Sequence, residues 1–103
     1  MENNQKTESN ITEKIILQLY ITGMSEKSVR AIQNITQFCD LYLKDRFDLE
    51  VIDIYKNPSI AEKQKIVFSP SLIRQLPLPK RILIGDLSDT KKVFYGLGIT
   101  FKD

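Results

Sequence analysis

The 103-residue chain contains no histidine and one cysteine. Without histidine there is no Ser-His-Asp or Cys-His triad, no usual general base near neutral pH, and most zinc sites are excluded. Cys39 alone forms neither an intrachain disulfide nor a CxxC redox pair, and it requires no oxidising compartment. The apolar runs are a few residues long, far below the ~18 needed to span a bilayer. The polar start, MENNQKTESN, lacks the basic-then-apolar order of a signal peptide. The expectation is a cytoplasmic protein that does not associate with membranes. No GxxxxGK[ST] loop occurs, which argues against nucleotide hydrolysis, and no cofactor motif is present.

What is present is one domain's worth of chain, with 42% hydrophobic residues, enough for a modest core. Fifteen Lys and Arg face thirteen Asp and Glu, a net charge of +2. The distribution is uneven: residues 1–50 carry six basic and eight acidic side chains, and residues 51–103 carry nine and five. A basic face is therefore expected in the C-terminal half, drawn from Lys56, Lys63, Lys65, Arg74, Lys80, Arg81, Lys91 and Lys92. It reads either as a solvated surface or as a docking face for an acidic protein. Tyr20, Tyr42 and Tyr55 fall on core-like segments, so no aromatic stacking platform is interleaved with the charges, which argues against nucleic acid.

Residues 1–12 are almost wholly polar and read as a tail preceding a domain over 13–103. Ile15–Ile21 is a nearly continuous apolar run, the pattern of a strand buried on both faces. Ser25 can cap a helix whose apolar positions Val29, Ile32, Ile35, Phe38, Cys39 and Tyr42 recur up to about Asp45. Cys39 reads as a small core residue, and Leu41 interrupts the polar arc. Leu49–Tyr55 reads as a second strand, completing a βαβ unit. Asn57 and Pro58 then supply the N-cap and first position of a short helix from Ser59 to Lys65.

Beyond Ile66 the local signals conflict. Ile66-Val67-Phe68 is β-prone, Leu72, Ile73 and Leu76 suit a helix or a strand, and Arg81–Ile84 looks like a strand. Ser88 or Asp89 could cap a last helix, yet Val93-Phe94-Tyr95 is β-prone, and Gly96 and Gly98 each penalise a helix by about 1 kcal/mol. Either tertiary contacts override weak propensities, or this segment has two packings of similar free energy. Asp86 and Asp89 could in principle hold a magnesium ion, but in GDLSD they read better as turn and cap acceptors, so no metal site is assigned.

Ser28-Val29-Arg30-Ala31, Val51-Ile52-Asp53, Lys56-Asn57-Pro58, Ala61-Glu62, Lys65-Ile66, Leu76-Pro77, Pro79, Ile84-Gly85-Asp86-Leu87-Ser88-Asp89 and Gly96-Leu97 occur in that order. Together they resemble the KaiB family of circadian clock proteins, essentially without gaps from about Ile15 to Phe101. The resemblance implies an α/β, thioredoxin-like domain without redox chemistry: a βαβ unit, a short helix, a β-hairpin and a C-terminal helix. It implies a non-enzymatic regulator that binds the ring ATPase KaiC, and a metamorphic second half, residues 66–101, that alternates between a tetrameric and a monomeric thioredoxin-like packing. A homo-oligomer, dimer or tetramer, is thus expected.

Carried over by position, Lys65 and Arg81 match basic positions used toward KaiC, and Arg74 stands where the family usually has lysine. Pro70, Pro77, Pro79, Gly96 and Gly98 are the fold-switch candidates. In thioredoxin-like proteins the peptide before strand three is often cis, and Ser69-Pro70 stands there. Asp48 and Glu50 replace alanine and lysine on the edge used toward KaiA, inverting the local charge and arguing against KaiA capture. Gly98 replaces an aspartate, and Met24-Ser25-Glu26 replaces Asn-Thr-Pro. These departures suggest a KaiB-like protein paired with a KaiC-type ATPase outside a complete three-component clock. The other reading is an oligomeric stress or scaffold protein that keeps the fold but no longer meets KaiC.

Overall fold

The computed structural model describes residues 14–66 and 69–99. The expected tail, Val67 and Phe68 of the β-prone run, and Phe101 lie outside the described residues. The elements are β1 (Ile15–Ile21), α1 (Glu26–Tyr42), β2 (Phe47–Asp53), α2 (Pro58–Gln64), β3 (Ser71–Leu76), β4 (Arg81–Ile84) and α3 (Thr90–Leu97). One four-stranded sheet runs in the order β2-β1-β3-β4. β1 pairs parallel with β2 and antiparallel with β3, and β3 pairs antiparallel with β4. This is the expected thioredoxin-like arrangement of a βαβ unit, a short helix, a hairpin and a last helix.

β1 is central, which explains its nearly continuous apolar run. Ile15, Leu17, Leu19 and Ile21 alternate onto one face, where they pack with Ala31, Ile35, Phe38 and Cys39 of α1 and Val93, Phe94 and Leu97 of α3. Tyr20 points to the other face and packs with Ile52 and Ile73, covered by Ile60 of α2 together with Ile54 and Ile66. The sheet is thus sandwiched between α1 and α3 on one side and α2 on the other. Burying each such leucine or isoleucine stabilises the fold by about 1.5–3 kcal/mol.

Ser25 caps α1 as expected, its Oγ accepting the Ser28 N–H at 3.2 Å. The buried arc is rotated from the apolar spacing toward Ser28 and Ala31, leaving Val29 and Ile32 half-buried. Ser28 tolerates burial because its hydroxyl pairs with that of Ser25 at 3.0 Å. β2 begins and ends two residues earlier than Leu49–Tyr55. Asp53 closes the strand, since its Oδ1 accepts the N–H groups of Tyr55 and Gly23 at 3.0 and 3.1 Å. Tyr55 consequently leaves the sheet and is 75% exposed, not a core residue. At α2, Pro58 occupies the first turn, but Asn57 makes no side-chain cap: its amide donates to the Asp53 carbonyl instead.

The ambiguous half resolves through tertiary contacts. Ser71, Leu72, Ile73 and Arg74 of β3 are all buried. Asp89, not Ser88, caps α3 by accepting the Lys92 N–H at 3.2 Å. Gly96 is accommodated because α3 lies tight on β4: a Cβ there would stand 2.2 Å from Leu83 Cδ2. Gly98 ends the helix at φ +69°, with the Ile99 N–H closing back on Phe94 O at 2.9 Å, the left-handed C-terminal geometry that favours glycine. The peptide before β3, Ser69–Pro70, is cis, as are Leu76–Pro77 and Leu78–Pro79.

Candidate docking site

The turn from β1 into α1, Thr22-Gly23-Met24-Ser25, carries no thiol. Cys39 lies on the core face of α1 with no exposure. Burial, and secondarily the charge of Asp40, pushes its thiol up to about 12, so no thiolate exists near neutrality. Asp86 and Asp89 serve the backbone: Asp86 Oδ1 accepts the Ser88 N–H at 3.1 Å, and Asp89 caps α3. Among the described residues no three His, Cys, Asp or Glu side chains are grouped to hold a metal ion, and no helix is long and apolar enough to cross a membrane.

The basic residues divide by position. Lys56, Lys63, Lys65, Lys80, Arg81, Lys91 and Lys92 are exposed, and Arg74 is not. Lys80 Nζ reaches Gln64 Oε1 at 3.4 Å, which brings the β3–β4 turn against the C-terminal end of α2. Lys65 and Lys80 therefore belong to one surface on the α2 side of the sheet. Lys65 itself is held at φ 56°, a left-handed conformation that costs a non-glycine residue about 1–2 kcal/mol. Arg81 lies on the opposite side, against the end of α3, where a Cβ at Gly98 would stand 3.0 Å from its Nε.

Arg74 is an internal clamp. It is 6% exposed, and its guanidinium donates from Nη1 to the Leu97 carbonyl and from Nη2 to the Pro79 carbonyl, the latter at 2.7 Å. It thereby ties β3 to the C-terminal end of α3, whose carbonyls carry the negative end of the helix dipole, and to the β3–β4 turn. The three basic positions carried over from the resemblance thus do not form one patch. Sequence alternation held a signal for Arg74, since it shares a strand face with buried Leu72.

The fold-switch candidates spread over the same half. Pro70 is buried before β3, Pro77 is half-buried and Pro79 exposed in the β3–β4 turn. Gly98 is where a side chain would collide: besides Arg81, Arg74 Nη1 would stand 2.9 Å from its Cβ. A Gly98→Val variant is expected to unfold at lower denaturant, by about 2 kcal/mol, because a β-branched residue at positive φ must also displace the two guanidinium groups.

Two links were not visible in sequence. Asn34 Nδ2 donates to the Asp86 carbonyl at 2.8 Å and Arg30 Nε to Asp86 Oδ2 at 3.4 Å, fastening α1 to the loop before α3. The Ser88 side chain, then its N–H, and then Arg30 hold the Asp86 carboxyl below the ordinary carboxylate range. That contribution is present above the unfolded-state value and is lost as pH falls through the lower folded one. In an NMR acid titration Ser88→Ala should raise the Asp86 midpoint. On the α2 face, Gln18 accepts from the Tyr20 hydroxyl at 2.9 Å and from Gln75 at 2.8 Å, and donates to Glu50 at 3.2 Å. Burial and then the Glu50 charge raise the Tyr20 phenol, so it remains a donor. Asp48 and Glu50 sit exposed on the β2 edge, with Asp48 3.7 Å from Lys14.

A family model described as KaiB domain matches residues 18–99. The chain is 48% identical over 86 residues to the circadian clock protein KaiB3 of Synechocystis sp., covering 84% of each sequence. It is 43% identical over 86 residues to the circadian clock oscillator protein KaiB of Synechococcus elongatus, again covering 84% of each. Among solved structures, the N-terminal domain of Synechococcus elongatus SasA is similar at TM-score 0.68 and 21% identity, covering 88% of this chain and 90% of that one. Mitochondrial thioredoxin 3 of Saccharomyces cerevisiae is similar at TM-score 0.65 and 12% identity, covering 91% and 88%. These two likenesses concern the fold. Sequence identity on this scale, carried by a thioredoxin-like sheet with no thiol pair at its first βα turn, places the chain in the KaiB family.

Proposed function

We propose that this protein is a non-enzymatic regulator that docks on the acidic surface of a KaiC-type ring ATPase and alters its activity or its exchange of partners. The observation that carries the reading is the surface shared by Lys65 and Lys80, with exposed Lys63 beside it, on a chain of the KaiB family. Lys65 stands at a position the family resemblance assigns to that contact. Arg81 joins from the α3 side, and Arg74 acts by holding the hairpin and α3 in the packing that presents these lysines. The second packing implied for residues 66–101 would dismantle that arrangement, since the Arg74 clamp lies within that half and the Asp86 links reach into it from α1.

Charges this exposed are screened over about 8 Å at 0.15 M salt, so an electrostatic dock weakens as salt rises. Calorimetric titration into the cognate ATPase at rising ionic strength should show affinity falling with salt. No complex at any salt concentration, even after long incubation, would defeat the proposal and leave the oligomeric scaffold reading.

A further inference from the structure

We infer that the α2 side of β4 is a seat for a helix of the partner, apolar along its contact stripe and flanked by aspartate or glutamate. The inference rests on the proposed docking and gives it an apolar component. Side chains alternate across a strand. Arg81 and Leu83 pair with Arg74 and Leu72 and point toward α3, where they approach Gly98 and Gly96. Ile82 and Ile84 therefore point to the α2 side, in line with Lys80, whose Nζ reaches Gln64 there. Each isoleucine is 59% exposed. The backbone edge of β4 offers little, since the strand has four residues, begins at Arg81 and follows Pro79 and Lys80. What it presents is a side-chain surface that continues outward from buried Ile73, the register partner of Ile82.

Spacing selects a helix as the occupant. Ile60 of α2 packs on the cluster of Ile52 of β2, Tyr20 of β1 and Ile73 of β3, so α2 is centred on β1. β4 lies two strands from β1 in the order β2-β1-β3-β4. Two strand spacings are about 9.6 Å, and neighbouring helices pack about 8–10 Å apart. The place over β4 is thus that of the next helix in this layer, and among the described residues no helix fills it. Ile82 and Ile84 stand about 6.8 Å apart along the strand, close to the rise of about 6 Å between residues four apart on a helix. A helix also satisfies its own backbone, so it needs no free strand to pair with. Lys80 continues the row at one end, and Lys65 lies on the same surface at the end of α2. Carboxylates on the partner helix complement these ammonium groups, whereas lysine or arginine there would be repelled.

Two isoleucines alone make too small a contact for a stable complex, so apolar and charged contributions act together, and a salt series separates them. The experiment is calorimetric titration of the full chain into the KaiC-type ATPase from about 0.05 to 0.5 M salt. The double variant Ile82→Thr, Ile84→Thr keeps β-branched residues in the strand. It should weaken binding at least about tenfold at every salt concentration, with the salt slope unchanged and a less negative heat-capacity change. Lys80→Gln should instead flatten the slope. Circular dichroism checks that the variants fold. A photoreactive phenylalanine analogue in place of Ile84 should cross-link to a helix of the ATPase that carries apolar residues four apart and a flanking Asp or Glu. A double variant that binds as tightly as the parent chain, while Lys80→Gln weakens binding, overturns the inference and leaves the docking proposal standing. Cross-linking to a strand, or to a helix without that pattern, overturns it in the same way. A parent chain that forms no complex with the ATPase overturns both, and binding to phosphatidylserine vesicles instead would assign the surface to lipid.

Discussion

Replacing Arg74 with alanine should lower the stability of this packing by about 3 kcal/mol, a large share of the roughly 5–15 kcal/mol expected for a domain of this size. The change strips donors from the Leu97 and Pro79 carbonyls and opens space between β3 and the end of α3. Arg74→Lys should recover only part of the loss, because one ammonium cannot span both carbonyls as the planar fork does. Urea unfolding checks both variants. Under this arrangement Arg74→Ala weakens partner binding only through loss of fold. An Arg74→Ala protein of undiminished stability with impaired binding would return Arg74 to the surface. The sequence resemblance pointed there because lysine is usual at that position; burial gives arginine a different task.

Leu19→Ala is expected to cost about 3–4 kcal/mol. Leu19 has no exposed surface and lies at the centre of β1, the strand paired on both sides. Its neighbours belong to three different elements, so the cavity cannot collapse without breaking sheet pairing, which puts the cost above the minimum for such truncations. The exposed Leu41→Ala is the contrasting control and should change stability by less than about 0.5 kcal/mol. Equal losses for the two would contradict the assignment of the core.

The first half was legible because its signals are local. β1 announces itself by being apolar on both faces, α1 by Ser25 followed by a helical apolar period, and α2 by proline in its first turn. β2 was misplaced by two residues because Tyr55 looks like strand, whereas what ends the strand is the Asp53 carboxylate capping two backbone N–H groups. The second half depends on contacts between residues distant in sequence. Leu72 and Ile73 suit either structure until β1 lies beside them, and Gly96 weakens α3 except that the helix must approach Leu83 closely. Alternation carried the burial of Arg74, but its hydrogen-bond acceptor is supplied by a helix more than twenty residues later. The clustering of Lys65 with Lys80 had no sequence signal, since it requires the β3–β4 turn to fold back onto α2.

The proposed docking of this chain on another protein by its lysine surface is tested most directly at Lys65, because there the side chain and the backbone pull in opposite directions. Lys65→Gly removes the ammonium group and relieves the left-handed backbone, so it should stabilise the fold by about 1 kcal/mol. The measurement is the affinity of Lys65→Gly for the KaiC-type ATPase beside its unfolding free energy. Binding weakened at least about tenfold, in a more stable protein, with a shallower salt dependence, is the expected result. Unchanged affinity and an unchanged salt slope would show that this surface is not where the partner sits.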